Sequence, residues 1–374
     1  MKKIHKIALT FVFISFIVLF TSCKSDSTSA TPENSAVVEE IDRVCDSIMA
    51  NSSLPGMVVG VWSKEKGVSY VKGRGYSNLS PLEKMNPNYH FRIGSNTKSF
   101  VITVILQLVD EGKLLLDDYL TKYFPAFPGG DKVTLKMMCN MTSGINNYTA
   151  TEEFVNQLMN NPLKKWTPQE LVDLIMGNVY AFEPGTNILY SNTNTILLGM
   201  IVEQITGKSL EENIQTRFIN KYGMNKTIFP TDNKMPASYI HGYANFTDSL
   251  SFIDDVSETF DLSWGWAAGA IISDIFNTKK WVEILIDGGM ISDSLQQQRF
   301  TGKSLGVGIT YGLAIFTRGF NMWGHNGGLP GYTSVMMHHR TLDFTIVVFC
   351  NWQHSEVIPD NVFKRLVKVV YPEM

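Results

Sequence analysis

Cysteine is scarce in this chain: Cys23, Cys45, Cys139 and Cys350 are the only four in 374 residues. Their wide spacing excludes a disulfide framework or a zinc site, which need paired or closely set ligands. Cys45, Cys139 and Cys350 sit among apolar residues and read as buried free thiols. Basic charge is not in excess either. Lys and Arg number 32 against 35 Asp and Glu, a formal charge of −3. A nucleic-acid binder would show a clustered surplus of cations, so that class is set aside. No apolar run reaches the ~20 residues of a membrane-spanning helix. The stretch from Ile7 to Phe20 stops at 14. What remains, 44% hydrophobic and 18% charged, is the composition of a globular protein.

The N-terminus reads differently from the rest. Lys2, Lys3 and Lys6 precede the Ile7–Phe20 stretch, and Phe20-Thr21-Ser22-Cys23 follows. A basic start, a short apolar core and small residues are the layout of a secretory signal peptide, here residues 1–22. The cysteine at the cleavage point resembles that of a bacterial lipoprotein signal. That resemblance implies lipidation of Cys23, a tether over residues 23–36, and an exported protein held at the cell envelope by its lipid. SDSTSATPENS, Ser25 to Ser35, is polar and aperiodic, as a tether should be.

Apolar spacing predicts a helix over Ala36–Ala50 and a hairpin from Met57–Ser63 and Val68–Ser77. Lys98–Glu111 is almost wholly apolar and predicts a helix buried on nearly all sides. Residues 115–263 carry helix patterns and loops without clear strands. Strand signals return from Gly306 in ITYGLAIF, TSVMMHH and FTIVVFCNW, and Val357–Val370 is amphipathic. The expectation is an α/β (α+β) domain over residues 37–373. Its antiparallel sheet is built from both chain ends, with flanking helices and a helical insertion at about 115–263.

Three Ser-x-x-Lys pairs occur: Ser63/Lys66, Ser69/Lys72 and Ser95/Lys98. Residues i and i+3 meet on a helix but point to opposite faces of a strand. Ser69 and Lys72 fall in a predicted strand, and Ser63 and Lys66 straddle a turn that reads as a solvated hairpin end. Ser95 and Lys98 stand at a loop-to-helix junction, where free N–H groups favour an alkoxide and a deprotonated amine. Ser95 could instead merely cap the helix. A tyrosine near cations can carry protons. Of the Tyr-x-Asn matches, Tyr76 ends a strand and Tyr243 lies in HGYANFTDS, which reads as a surface loop. Tyr190-Ser191-Asn192 joins a Pro-Gly turn to an apolar helix. His325-Asn326-Gly327-Gly328 reads as the approach to a strand, with glycines that let backbone come near a substrate. Lys221-Tyr222-Gly223 reads as a helix end. His90, His241, His338, His339 and His354 show no spacing that argues for a metal.

In this order, Ser95-x-x-Lys98, Tyr190-x-Asn192 and His325-x-Gly327 resemble the serine β-lactamase and penicillin-binding superfamily, closest to its class C-related branch. LKMMCNMTSGI, FEPGTNILYSNTN, WAAGAIIS and GHNGGLPGY add to the likeness, which spans Val37 to Trp352. The resemblance implies Ser95 as acylated nucleophile, Lys98 as its partner and Tyr190 as general base and acid. Asn192, His325 and Gly327 would hold substrate, and the backbone N–H groups of Ser95 and Gly328 would form the oxyanion hole. It implies neither metal nor cofactor, and a peptide or other small molecule as substrate. Histidine replaces the lysine of class C enzymes at 325, and Asn326 their threonine. That pattern resembles D-Ala-D-Ala carboxypeptidases acting on cell-wall peptides. A class C-like β-lactamase or an esterase would use the same residues. A non-catalytic wall-binding lipoprotein would not need Ser95, Lys98 and Tyr190 together.

Overall fold

The computed structural model describes residues 34–245, 254–353 and 357–374. The signal and Cys23 assignments lie outside the described residues, as do His354 and the expected tether up to residue 33; residues 35–36 are not tether but the start of a helix, capped by Asn34. Helix α1 (Ser35–Ala50) is followed by strands β1 (Gly56–Ser63), β2 (Val68–Leu79) and β3 (Leu82–Lys84). Helix α2 (Thr97–Asp110) opens the inserted region, which includes α3 (Asn192–Thr206). Helix α4 (Ile275–Asp287) leads to β4 (Lys303–Gly306), β5 (Ile309–Tyr311) and β6 (Phe316–Thr317). The chain ends with β7 (Trp323–Leu329), β8 (Tyr332–His339), β9 (Phe344–Cys350) and α5 (Val357–Val370).

The nine strands form one antiparallel sheet in the order β3-β2-β1-β9-β8-β7-β6-β5-β4. The N-terminal β1 lies against the C-terminal β9, with Met57 opposite Cys350 and Gly60 opposite Val347. Period-two alternation then sorts side chains to two cores. Val59, Val61, Ile346 and Val348 pack towards α1 and α5, through Ile41, Val44, Val362 and Leu366. Val58, Met336, Val347 and Phe349 pack towards α2 and the inserted helices. Helix α2 is buried around most of its circumference, as its composition predicts. Phe100 stacks on Trp281 of α4 at 3.6 Å between ring centroids, and the Trp281 indole donates to Ser99 Oγ at 2.8 Å.

Several sequence expectations need correction. The 115–263 region does contain short strands: Tyr243–Ala244 pairs with Trp352–Gln353 and with Asp254–Asp255. Tyr243 is therefore buried rather than on a surface loop, and its hydroxyl accepts from Leu79 N. ITYGLAIF is not one strand. Between β5 and β6, Leu313 N and Ala314 N donate to Arg299 O and Cys139 O instead of a sheet neighbour. Ser63 is buried and hydrogen-bonded to the Tyr371 hydroxyl at 2.9 Å, not solvated at a hairpin end.

The His-Asn-Gly-Gly stretch lies within β7 rather than before it. Its glycines bring that strand against the Ile93–Asn96 turn. A methyl group on Gly327 would collide with Ile93 O and stand 2.7 Å from Ser334 Oγ. Gly327→Ala should therefore push β7 off the turn. The expected loss of stability is about 1–3 kcal/mol, read by urea denaturation, with slower acylation of Ser95. Unchanged values for both would show that the contact can relax.

Candidate active site

Ser95 sits in a single 3-10 turn, Gly94–Asn96, that runs directly into α2. Gly94 has φ +57°, a conformation glycine adopts without cost. The turn is held from two sides. Asn96 Nδ2 donates to Ile93 O and to Ser334 Oγ of β8. Thr97 Oγ1 donates to Gly94 O at 2.7 Å and accepts from Ile271 N.

One turn later, Lys98 is fully buried. Its Nζ lies 3.0 Å from Ser95 Oγ and 2.7 Å from Ala268 O. Burial drives its pKa well below the ordinary lysine range. Nζ donates to the Ala268 carbonyl and to Ser95 Oγ, and a neutral amine at the same distance is also able to accept from the serine hydroxyl. Tyr190 presents its ring 4.9 Å from the same Nζ. It is fixed by the entrance to α3: Leu189 N donates to Met141 O, Ser191 Oγ to Asn146 O, and Asn192 N to Asn147 Oδ1. Asn192 Nδ2 donates to Thr149 Oγ1 at 3.1 Å.

The structure thus brings Ser95, Lys98, Tyr190 and Asn192 together from separate parts of the chain. Ser95, Tyr190, Asn192, Asn326, Gly327 and Gly328 line one cleft of about 570 Å³. Gly328 N comes within 2.9 Å of where a Gly94 Cβ would stand, so β7 backbone faces the serine turn closely.

His325 does not lie on the cleft surface. It is fully buried, with its ring centroid 6.2 Å from that of Tyr190. Nδ1 is 2.6 Å from Asn326 O, which can only accept, so Nδ1 carries the hydrogen. Nε2 then accepts from the Tyr311 hydroxyl at 3.1 Å. Burial, and secondarily the neighbouring Lys98, lower its pKa to about 3. The histidine that the resemblance implies would hold substrate is an enclosed neutral imidazole.

The competing motifs are otherwise occupied. Lys72 pairs with Asp42 at 2.7 Å, and Gly223 is a left-handed helix cap with φ +61°. Asn147, Thr149, Phe154, Leu158, Trp264 and Gln353 also line the cleft and were missed. Asn147 could have been suspected as a helix-capping amide near a turn. The aromatic wall could not, because Phe154 and Trp264 lie more than a hundred positions apart in sequence and meet only in three dimensions. Among the described residues, Glu283, His338 and Asp343 bring possible metal ligands within 4.8 Å of one another. Thr345 and Lys279 already hydrogen-bond Glu283 there.

A family model described as Beta-lactamase matches residues 41–368. The chain belongs to the beta-lactamase family. This is a family of serine hydrolases with a shared fold. Protein flp of Staphylococcus aureus (strain N315) is 26% identical over 334 residues, covering 87% of this chain and 65% of its own length. The chain therefore spans about two thirds of that relative. The putative penicillin-binding protein PbpX of Bacillus subtilis (strain 168) is 26% identical over 286 residues, covering 76% and 68%. A D-stereospecific amidohydrolase from Streptomyces sp. superposes with a TM-score of 0.80 at 25% identity, covering 90% of this chain and 99% of that one.

If the Lys98 amine takes the serine proton, replacing it with a group that stays cationic should stop acylation. Lys98→Arg should slow acyl-enzyme formation ~10²-fold or more. In the wild-type enzyme, acylation should persist well below the ordinary lysine pKa of about 10.4. The rate should fall only as pH drops through the depressed value and the amine gains a proton. A stopped-flow pH profile reads both effects. An active Lys98→Arg variant, or an acylation rate that rises only through the ordinary lysine range, would refute the role.

Proposed function

We propose that this protein is a serine acyl-enzyme hydrolase of D-configured amino-acid amides and peptides whose leaving end carries no charge. The observation that carries the chemistry is the buried Lys98 amine set 3.0 Å from Ser95 Oγ. Ser95 Oγ attacks the substrate carbonyl carbon while its proton passes to the Lys98–Tyr190 pair. The C–N bond then breaks, and the leaving amine takes a proton back from that pair. Water repeats the sequence on the ester and frees Ser95. The N–H groups of Ser95 and Gly328 would receive the oxyanion, each such donor being worth about 3 kcal/mol.

The choice of substrate rests on the cleft wall. Among the described residues, those lining it carry no Lys, Arg, Asp or Glu. His325 is enclosed and neutral. A terminal carboxylate would meet no cation among the described residues that line this cleft, and a desolvated, unpaired charge is costly. An amide end finds amide and hydroxyl partners in Asn192, Asn326, Thr149 and Gln353. The D configuration is supported by the likeness to the D-stereospecific amidohydrolase. The carboxypeptidase reading uses the same residues and differs only in the charge of that end.

The two are separated by kcat/KM for an acyl-D-Ala-D-Ala peptide and its C-terminal amide, with the L,L amide as control. The amide should be preferred by about tenfold, equivalent to about 1.4 kcal/mol. Preference for the free acid would reinstate the carboxypeptidase. Turnover of a p-nitrophenyl ester or a cephalosporin, with neither peptide cleaved, would make it an esterase or a β-lactamase.

A further inference from the structure

A second cavity, of about 350 Å³, lies behind the segment that carries Trp264. It shares no lining residue with the catalytic cleft. Its walls include the Trp166 and Trp266 rings, and four carboxylates line it: Glu203, Glu211, Asp232 and Asp261. No Lys, Arg or His lines it among the described residues. Backbone N–H groups hold three of the acids in place. Glu203 accepts from Leu210 N, Asp232 from Lys234 N and Asp261 from Ser263 N. None of these bonds comes from a cationic group.

We infer that this cavity is a binding site for a small organic cation with an apolar body, such as an aryl-alkyl ammonium. The size is that of a small-molecule pocket. The half-buried Trp266 indole is an aromatic wall for the body and the cationic head. The Trp166 ring already holds one cation, Lys164, with Nζ 3.7 Å from its centroid. That lysine does not line the cavity. The carboxylates supply the complementary charge, and an anion would be repelled by all four. The inference does not depend on which substrate the catalytic cleft takes.

The site is separate from the nucleophile but close in the chain to its supports. Trp266, a cavity wall, stands two residues from Ala268, whose carbonyl receives Lys98 Nζ. Trp264, on the opposite side of the same short segment, lines the catalytic cleft. Binding must therefore be tested with the catalytic cleft both open and blocked.

The probes are phenethylammonium and its uncharged analogue 2-phenylethanol, titrated into the whole protein by calorimetry at low salt. The ammonium should bind about tenfold tighter, as expected when cation–π and carboxylate contacts add to the same apolar contact. In Glu211→Gln/Asp232→Asn, whose exposed side chains leave the core untouched, that preference should fall severalfold. Circular dichroism confirms that this variant is folded. Protein blocked at Ser95 by a phosphonate should bind the ammonium unchanged. Equal affinity for the two probes, no binding, a preference unaltered in the double variant, or loss of binding on blocking Ser95 would each overturn the inference.

Discussion

The rest of the site depends on one arrangement: a lysine amine buried beside a serine hydroxyl, with no carboxylate paired to it among the described residues. Burying a charged ammonium this way is costly, so the amine's pKa is pushed well below the ordinary lysine range. A neutral amine there is what the proposed acyl transfer requires, and its neutrality depends on the dry surroundings. Helix α2 supplies them, being apolar on nearly every face and stacked on Trp281. The polar contacts of Lys98 Nζ include Ser95 Oγ and the Ala268 carbonyl. The same dryness accounts for His325. A cation enclosed there would meet the same desolvation, so the imidazole is neutral and uses its two nitrogens on Asn326 O and Tyr311.

The fold delivers these groups from distant parts of the chain. Pairing of β1 with β9 joins the two chain ends into one sheet. That sheet carries β7 to the serine turn, where glycines permit contact closer than any side chain would. The inserted region brings Tyr190 and Asn192 to the opposite wall through the capped start of α3. Each catalytic candidate stands on or beside a regular element, as rigid positioning requires.

Local patterns in the chain announce much of this. Apolar spacing marks α1, α2 and α5 to within a residue or two. The i,i+3 rule separates Ser95/Lys98 from the serine–lysine pair on a strand, because helix and strand geometry differ at that spacing. Less legible are features set by tertiary contact. ITYGLAIF alternates like one strand, yet Arg299 and Cys139 take its backbone donors and split it. His325 carries no sign in sequence that Tyr311 and an enclosing core will hold it neutral. The Phe154–Trp264 wall and the Trp166–Trp266 cavity join residues far apart along the chain. No local period encodes such meetings.

The central claim is that Ser95 is an activated nucleophile. Its most direct test is intact-protein mass after treatment with an alkyl fluorophosphonate, which phosphonylates an activated serine with loss of fluoride. A single adduct should form, map to the peptide containing Ser95, and be absent from Ser95→Ala. No adduct on the wild-type protein, or one that persists in Ser95→Ala or maps to Ser63 or Ser69, would contradict the account.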